Sequence, residues 1–219
     1  MEPIFVSVFT ADTYSCIKGR GVLKASLDLR RYLQNDNCNK FCLKLDVKKY
    51  YENIDKDILK KLLRKKFKDK VLLGLLYEML DSYSPGLPLG SLLSQYLANF
   101  YLTYFDHWVK EELKMPVYLR YMDDMVILSN SKQELHEWRK KIDNYLRESL
   151  KLEVKGNWQV FPVAVRGIDF VGYVHRKDYT RIRKSIKKNY IKNKNKINHW
   201  SWLKWCDSKN LVEKYGINN

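Results

Sequence analysis

The chain has 219 residues, 45% of them apolar, and carries 41 Lys+Arg against 25 Asp+Glu, a formal charge of +16. That length suits one sizeable domain with a small appendage, and so basic a surface attracts polyanions, nucleic acid foremost. No stretch reaches the roughly 20 apolar residues that cross a bilayer, and the opening MEPIFVSVFT lacks a basic leader and a cleavage pattern, so a cytoplasmic protein without a membrane partner is expected.

The elements read as follows in chain order. ADTYSCIKGRG (11–21) is a glycine-bearing loop with Lys18 and Arg20, and a helix is expected from Val22 to Gln34. FCLKLDV (41–47) alternates like a strand that ends at Asp46. DKDILKKLLRKKF (55–67) opens with acids and carries apolar residues at helical spacing, which predicts a basic amphipathic helix. SPGLPLG (84–90) is a turn-rich loop, and SLLSQYLANFYLTYFDHWVKEEL (91–113) reads as one long helix, apolar around most of its circumference and buried against a sheet. In VYLRYMDDMVILSN (117–130) two strand-like runs flank adjacent aspartates, predicting a hairpin with its turn near 122–124. SKQELHEWRKKIDNYLRESL (131–150) opens with Ser and Glu three apart, a capping box, and keeps a helical period. WQVFPVAV and GIDFVGYVHR (158–176) read as a second hairpin. Residues 176–196 hold ten basic side chains against the single acid Asp178, and the tail that follows has three tryptophans, better suited to a small core than to a stacking platform.

Cys38 and Cys42 form a C-x-x-x-C pair, but with Cys16 and Cys206 remote and no nearby histidine no zinc set is complete, so reduced thiols are expected. The order strand, helix, helix, hairpin, helix, hairpin predicts an α+β fold: an antiparallel sheet with helices on one face, followed by a basic helical tail.

An isolated Asp-Asp pair is most often a solvated turn. Here the pair sits among strand formers, follows a tyrosine, and lies downstream of a second strand-terminal aspartate that precedes two aromatics. If the two strands are neighbours, Asp46, Asp123 and Asp124 converge. Their mutual repulsion then calls for cations. Mg²⁺ takes one or two carboxylates plus substrate phosphates, and two such ions about 3.5–4 Å apart clamp an in-line phosphoryl transfer.

LKLDVKKYYENID, GLPLGSLLSQYLANFYL and RYMDDMVILS, in that order, resemble three motifs of the reverse transcriptase family. LKLEVKGNWQV and GIDFVGYVHR occupy the places of its lysine-bearing motif and its primer-grip hairpin, so the resemblance spans most of residues 11–215. Many reverse transcriptases carry Gln before the glycine of the second motif and Ser-Pro a little later. This chain has Leu89-Gly90 and Ser94-Gln95, and with DTYSCIKGRG ahead and SWLKWCDSKNL behind it looks most like the reverse transcriptases of diversity-generating retroelements. Group II intron, retron and phage-defence reverse transcriptases are the alternatives. A truncated, non-catalytic nucleic-acid-binding remnant is the alternative of another class.

The resemblance implies a right-hand polymerase, with partial fingers at 1–40, a palm at 41–176 and a thumb-like basic segment at 177–219; members of the family carry further finger sequence ahead of the matched part. It implies that Asp46, Asp123 and Asp124, with the Val47 carbonyl, hold two Mg²⁺ ions, for which Mn²⁺ could substitute, and that Lys155 is a general acid. Tyr51 matches the steric gate that excludes a 2′-hydroxyl, with Tyr50 as its rival. Leu89, Gly90, Lys18 and Arg20 would meet the nucleotide. Tyr121, Met122, Gln95, Gly172, Arg183, Lys184, Lys187 and Lys188 would meet primer and template. The implied partners are an RNA template, a DNA or RNA primer, dNTPs and a basic helical-bundle accessory protein. Leucine at 89 offers shape without a hydrogen bond, so relaxed fidelity is expected, and the resemblance implies errors opposite template adenine.

Overall fold

In a computed structural model, which describes residues 1–35, 38–192 and 200–209, four strands make one antiparallel sheet. They are Phe41–Asp46 (β1), Val117–Tyr121 (β2), Asp124–Ser129 (β3) and Gln159–Pro162 (β4), in the order β2-β3-β1-β4. Ile168–Phe170 (β5), Tyr173–His175 (β6) and Thr180–Ile182 (β7) form a second antiparallel sheet. The helices in chain order are Glu2–Val6 (α1), Val22–Gln34 (α2), Tyr50–Asn53 (α3), Lys56–Lys66 (α4), Lys70–Asp81 (α5), Leu92–Tyr101 (α6), Thr103–Glu111 (α7), Lys132–Leu150 (α8), Val163–Arg166 (α9), Lys184–Lys192 (α10) and Trp200–Leu203 (α11).

Side chains alternate across a strand, and here both faces of the larger sheet are covered. Leu43, Leu45, Met125 and Ile127 join a cluster with Leu59 and Leu63 of α4, Leu97 of α6, Phe105 of α7 and Ile142 of α8. On the other face Cys42, Leu119, Val126 and Leu128 pack with Leu29 and Leu33 of α2 and Phe170 of β5. Burial on both faces explains why β2 and β3 read as near-continuous apolar runs rather than as alternating ones.

The helix starts follow local chemistry. Asp55, Asp69 and Ser131 each accept backbone N–H bonds in the first turn of α4, α5 and α8, an arrangement worth about 1 kcal/mol per cap. Leu135, Trp138, Ile142, Leu146 and Leu150 recur on one side of α8 and are buried. Each such burial contributes roughly 1.5–3 kcal/mol.

Three expectations change. The segment 91–113 is two helices, broken at Leu102, where the Asn99 carbonyl accepts from the Thr103 hydroxyl at 3.3 Å and from Arg120 at 3.4 Å. The second hairpin is not made by 158–165 with 167–176: β4 pairs with β1, Leu43 opposite Val160, and forms an edge of the larger sheet. The hairpin lies inside GIDFVGYVHR and turns through Val171 (φ +45°) and Gly172 (φ +88°), the pair of positive angles that a two-residue turn of this twist requires. Finally, α5 lies in a segment for which the sequence suggested no element, and β7 is a strand inside the tail that was expected to be helical.

Among the described residues no helix is long and apolar enough to cross a membrane. All four cysteines are free. Of the tail tryptophans, Trp202 packs against Tyr173, whereas Trp205 is 42% exposed beside Lys204. The Trp200 side chain, Lys194 and Lys196 and the stretch 210–219 lie outside the described residues.

Candidate active site

Backbone pairing sets the acidic residues. Asp46 ends β1, and its partner across the sheet is Asp124, the first residue of β3. One step on, the Val47 N–H donates to the Asp123 carbonyl at 3.2 Å. On the opposite flank Val47 bridges to Val154, and the Lys155 N–H donates to the Asp46 carbonyl at 2.8 Å. Between β2 and β3 the chain turns through only Met122 and Asp123, with Met122 at φ +55°. A non-glycine residue there costs of order 1–3 kcal/mol, so the surroundings must hold it.

The three carboxylates stand in different surroundings. Burial pushes the Asp123 carboxyl above its usual range, and the charge of Asp46 adds to the effect. Asp124 is engaged by the ammonium of Lys44, which also lies 5.1 Å from the Phe170 ring. Lys44 precedes Asp46 by two residues and therefore shares its face of β1; burial pushes its ammonium down to about 8. The Lys155 ammonium stands 4.0 Å from Asp46 Oδ1. Lys44 is the residue that reading the sequence missed, although strand alternation alone would have placed it beside Asp46.

Asp46 and Asp123, with the Val47 carbonyl, suit a hard cation that takes one or two carboxylates and completes its shell with phosphate oxygens. Among the described residues no group of three His, Cys, Asp or Glu forms a ready-made cage. The donor set is one that a phosphate-bearing substrate would finish.

The rivalry between neighbouring tyrosines has a geometric answer. Tyr50 is fully buried and its hydroxyl donates to the Ala98 carbonyl at 2.5 Å. Tyr51 is half-buried, its hydroxyl 3.8 Å from Met122 Sδ, and burial with nearby Cys16 and Asp123 pushes its phenol up to about 12. Only Tyr51 stands at the hairpin turn. The 84–90 loop buttresses it: the Leu87 N–H donates to the Tyr51 carbonyl at 2.8 Å, and a Cβ on Gly86 would lie 2.0 Å from that same oxygen.

The remaining expected residues scatter around this centre. Leu89 is 77% exposed, and Gly90 adopts φ +91° with open space around it. Gln95 accepts from Cys16 Sγ at 2.9 Å. Arg20 is spent internally, donating to the Thr10 and Thr13 carbonyls at 2.6 and 3.0 Å, while Lys18 is exposed. Tyr121 is half-buried against the α2-side cluster and Met122 is buried. A Cβ on Gly172 would lie 2.5 Å from the Trp202 ring, so the tail closes over the β5–β6 turn. Arg183 pairs with Asp169, and Lys184, Lys187 and Lys188 are exposed on α10.

Comparison with known proteins now decides the family, since residues 1–175 match the reverse transcriptase (RNA-dependent DNA polymerase) family. The chain belongs to the reverse transcriptase family. This reverse transcriptase domain is 21% identical to the putative COX1/OXI3 intron 2 protein of Saccharomyces cerevisiae, over 79% of this chain and 28% of that protein. It is 25% identical to the intron 1 protein of the same yeast, over 52% of this chain and 15% of that protein. It thus spans less than a third of either relative. Among solved structures it is similar in fold to a C-terminally truncated apo telomerase from Candida tropicalis, with TM-score 0.63, 14% identity, and 83% of this chain against 44% of that one. A Candida albicans telomerase in complex with a fragment of telomeric RNA gives TM-score 0.59 and 14% identity, with 97% and 46% covered. The reverse transcriptase palm, an α+β layer of helices on an antiparallel sheet, is the fold they share with this chain.

Proposed function

We propose that the chain is an RNA-directed DNA polymerase, which extends a primer along an RNA template by metal-assisted nucleotidyl transfer. One observation carries the reading. The Met122–Asp123 turn sets a half-buried carboxylate against Asp46, with an aromatic ring alongside and a lysine at the rim.

Asp46, Asp123 and the Val47 carbonyl would hold two Mg²⁺ ions, with Mn²⁺ able to substitute; when bound, these supply the positive charge that phosphoryl transfer demands. Asp124 completes the acidic set while tied to Lys44. The Tyr51 ring lies under the sugar and excludes a 2′-hydroxyl. Lys155 delivers a proton to the departing pyrophosphate. Tyr121 and Met122 seat the primer end, and Leu89 and Gly90 line the nucleotide site. The exposed lysines of α10 grip phosphates, which gives affinity without sequence reading. The telomerase in complex with a telomeric RNA fragment, sharing this fold, supports an RNA partner.

Within the family, Leu89 and the Ser94-Gln95 pair favour an error-prone enzyme of a diversity-generating retroelement, with a basic helical-bundle accessory protein. The likeness to two yeast intron proteins favours an intron-type reverse transcriptase instead. A repeat differing only at adenines beside the gene decides for the first.

Primer extension on an RNA template with dNTPs and Mg²⁺, beside an Asp123→Asn control, tests the proposal. Extension by the parent and none by the control is the expected result. Nucleic-acid binding with no extension under any metal would leave only a non-catalytic remnant.

A further inference from the structure

The strand β2 carries a charge where none is affordable. Arg120 and Asp106 are both fully buried. Removing two charges from water costs several kcal/mol per ion, so every polar hydrogen must find an acceptor.

All five guanidinium N–H groups do. Nε donates to Asp106 Oδ1 at 2.8 Å and Nη2 to Asp106 Oδ2 at 2.5 Å, a two-pronged pair. Nη2 also reaches the Asn99 carbonyl at 3.4 Å. Nη1 donates to Asn99 Oδ1 at 3.1 Å and to the Met122 carbonyl at 3.0 Å. Asp106 in turn accepts from the Tyr118 hydroxyl at 2.6 Å and the Thr13 hydroxyl at 3.0 Å. One side chain therefore joins α6, α7, the 10–15 loop and the catalytic hairpin.

Stability does not account for the choice, because well-packed apolar residues often match or exceed a buried ion pair. What they could not do is donate to the Met122 carbonyl. That carbonyl belongs to the peptide entering Asp123, and the peptide leaving Asp123 is held by the Val47 N–H at 3.2 Å. Both peptide planes around the Asp123 Cα are thus pinned, in a turn whose left-handed Met122 would otherwise relax.

We infer that Arg120, locked by Asp106 and Asn99, is a positioning residue that fixes the Met122–Asp123 turn and so holds the Asp123 carboxylate beside that of Asp46. The kinetic part of this inference rests on the polymerase reading above; the backbone part does not.

The test uses Arg120→Lys, whose single ammonium cannot span the three acceptor groups, and Asn99→Ala, which leaves the ion pair in place. Hydrogen exchange is read at the Val47 amide and, as a reference, at the Ile127 amide within β3. Primer extension is read per folded molecule, beside the parent and Asp46→Asn. For Arg120→Lys, Val47 protection falls about tenfold with Ile127 unchanged, and kcat falls about 100-fold while the dNTP KM moves less than about threefold. In a Met122→Gly background, where glycine takes the left-handed turn unaided, the same change costs only a few-fold. Should the lysine variant not fold, Asn99→Ala gives the same pattern at smaller amplitude. Unchanged Val47 protection, or losses that merely follow global stability, overturns the inference. A parent that never extends a primer counts against the polymerase reading, and the exchange data then decide this point alone.

Discussion

Replacing Gly86 with alanine presses directly on the proposed sugar gate. The new Cβ would sit 2.0 Å from the Tyr51 carbonyl oxygen and 2.6 Å from that of Glu52, both backbone atoms that cannot swing aside. Gly86 also has φ +64°, where alanine pays roughly 1–2 kcal/mol. Relieving the overlap costs a further 1–3 kcal/mol or so, typical of overpacking. Moving the loop strains the 2.8 Å bond from Leu87 to Tyr51, worth about 1 kcal/mol. The total is roughly 3–6 kcal/mol, a large part of an ordinary domain's stability. Urea unfolding measures it directly, and the ratio of dNTP to NTP incorporation reports whether Tyr51 has moved. The expected result is a lower midpoint together with weaker sugar discrimination. A variant within about 0.5 kcal/mol of the parent, with unaltered discrimination, would refute the buttress argument.

Leu89→Gln restores a polar check on the nucleotide, and sequencing of the cDNA should show errors opposite template adenine falling roughly tenfold, within the range a single polar contact supplies; an unchanged error spectrum counts against the role of Leu89. Asp123→Asn should raise the Tm in EDTA at pH 7 while removing activity, because an Asp whose folded pKa is raised is a burden once ionised. That advantage should shrink as pH falls through the raised value toward 3.8, where the parent carboxyl regains its proton, and thermal scans across pH follow it. Burial holds the His175 imidazole down to about 4. Below pH 6.5 only the unfolded chain gains the proton, so stability drains away between 6.5 and 4 by about 3 kcal/mol. His175→Gln should remove that component of the pH slope in denaturant titrations.

What could be read from residues and what could not divide along physical lines. Helix α2, strand β1 and the Ser131 cap of α8 follow from local signals, namely alternation, helical spacing and a capping side chain. So does the hairpin that carries Asp123 and Asp124, since two apolar runs on either side of two polar residues have few other ways to fold. The break at Leu102 was hidden, because the Asn99 carbonyl beside it is shared with Arg120, a residue remote in sequence on β2. The partner of β4 was hidden for the same reason: edge pairing with β1 is a choice made by the sheet, not by 158–165. Lys44 was within reach of the alternation rule and was overlooked, since a lysine in a strand normally signals solvent. The buried Arg120–Asp106 pair gives no local signal at all. Its two members are ordinary charged residues until the fold removes them from water.

The account depends on Asp46 and Asp123 forming one cation site, and Mn²⁺ binding read by electron paramagnetic resonance, with template-primer and dNTP present, tests that most directly. The parent should bind Mn²⁺ with an altered spectrum, and both Asp46→Asn and Asp123→Asn should lose it while keeping the fold. An Asp46→Asn protein that binds Mn²⁺ as the parent does would contradict the account.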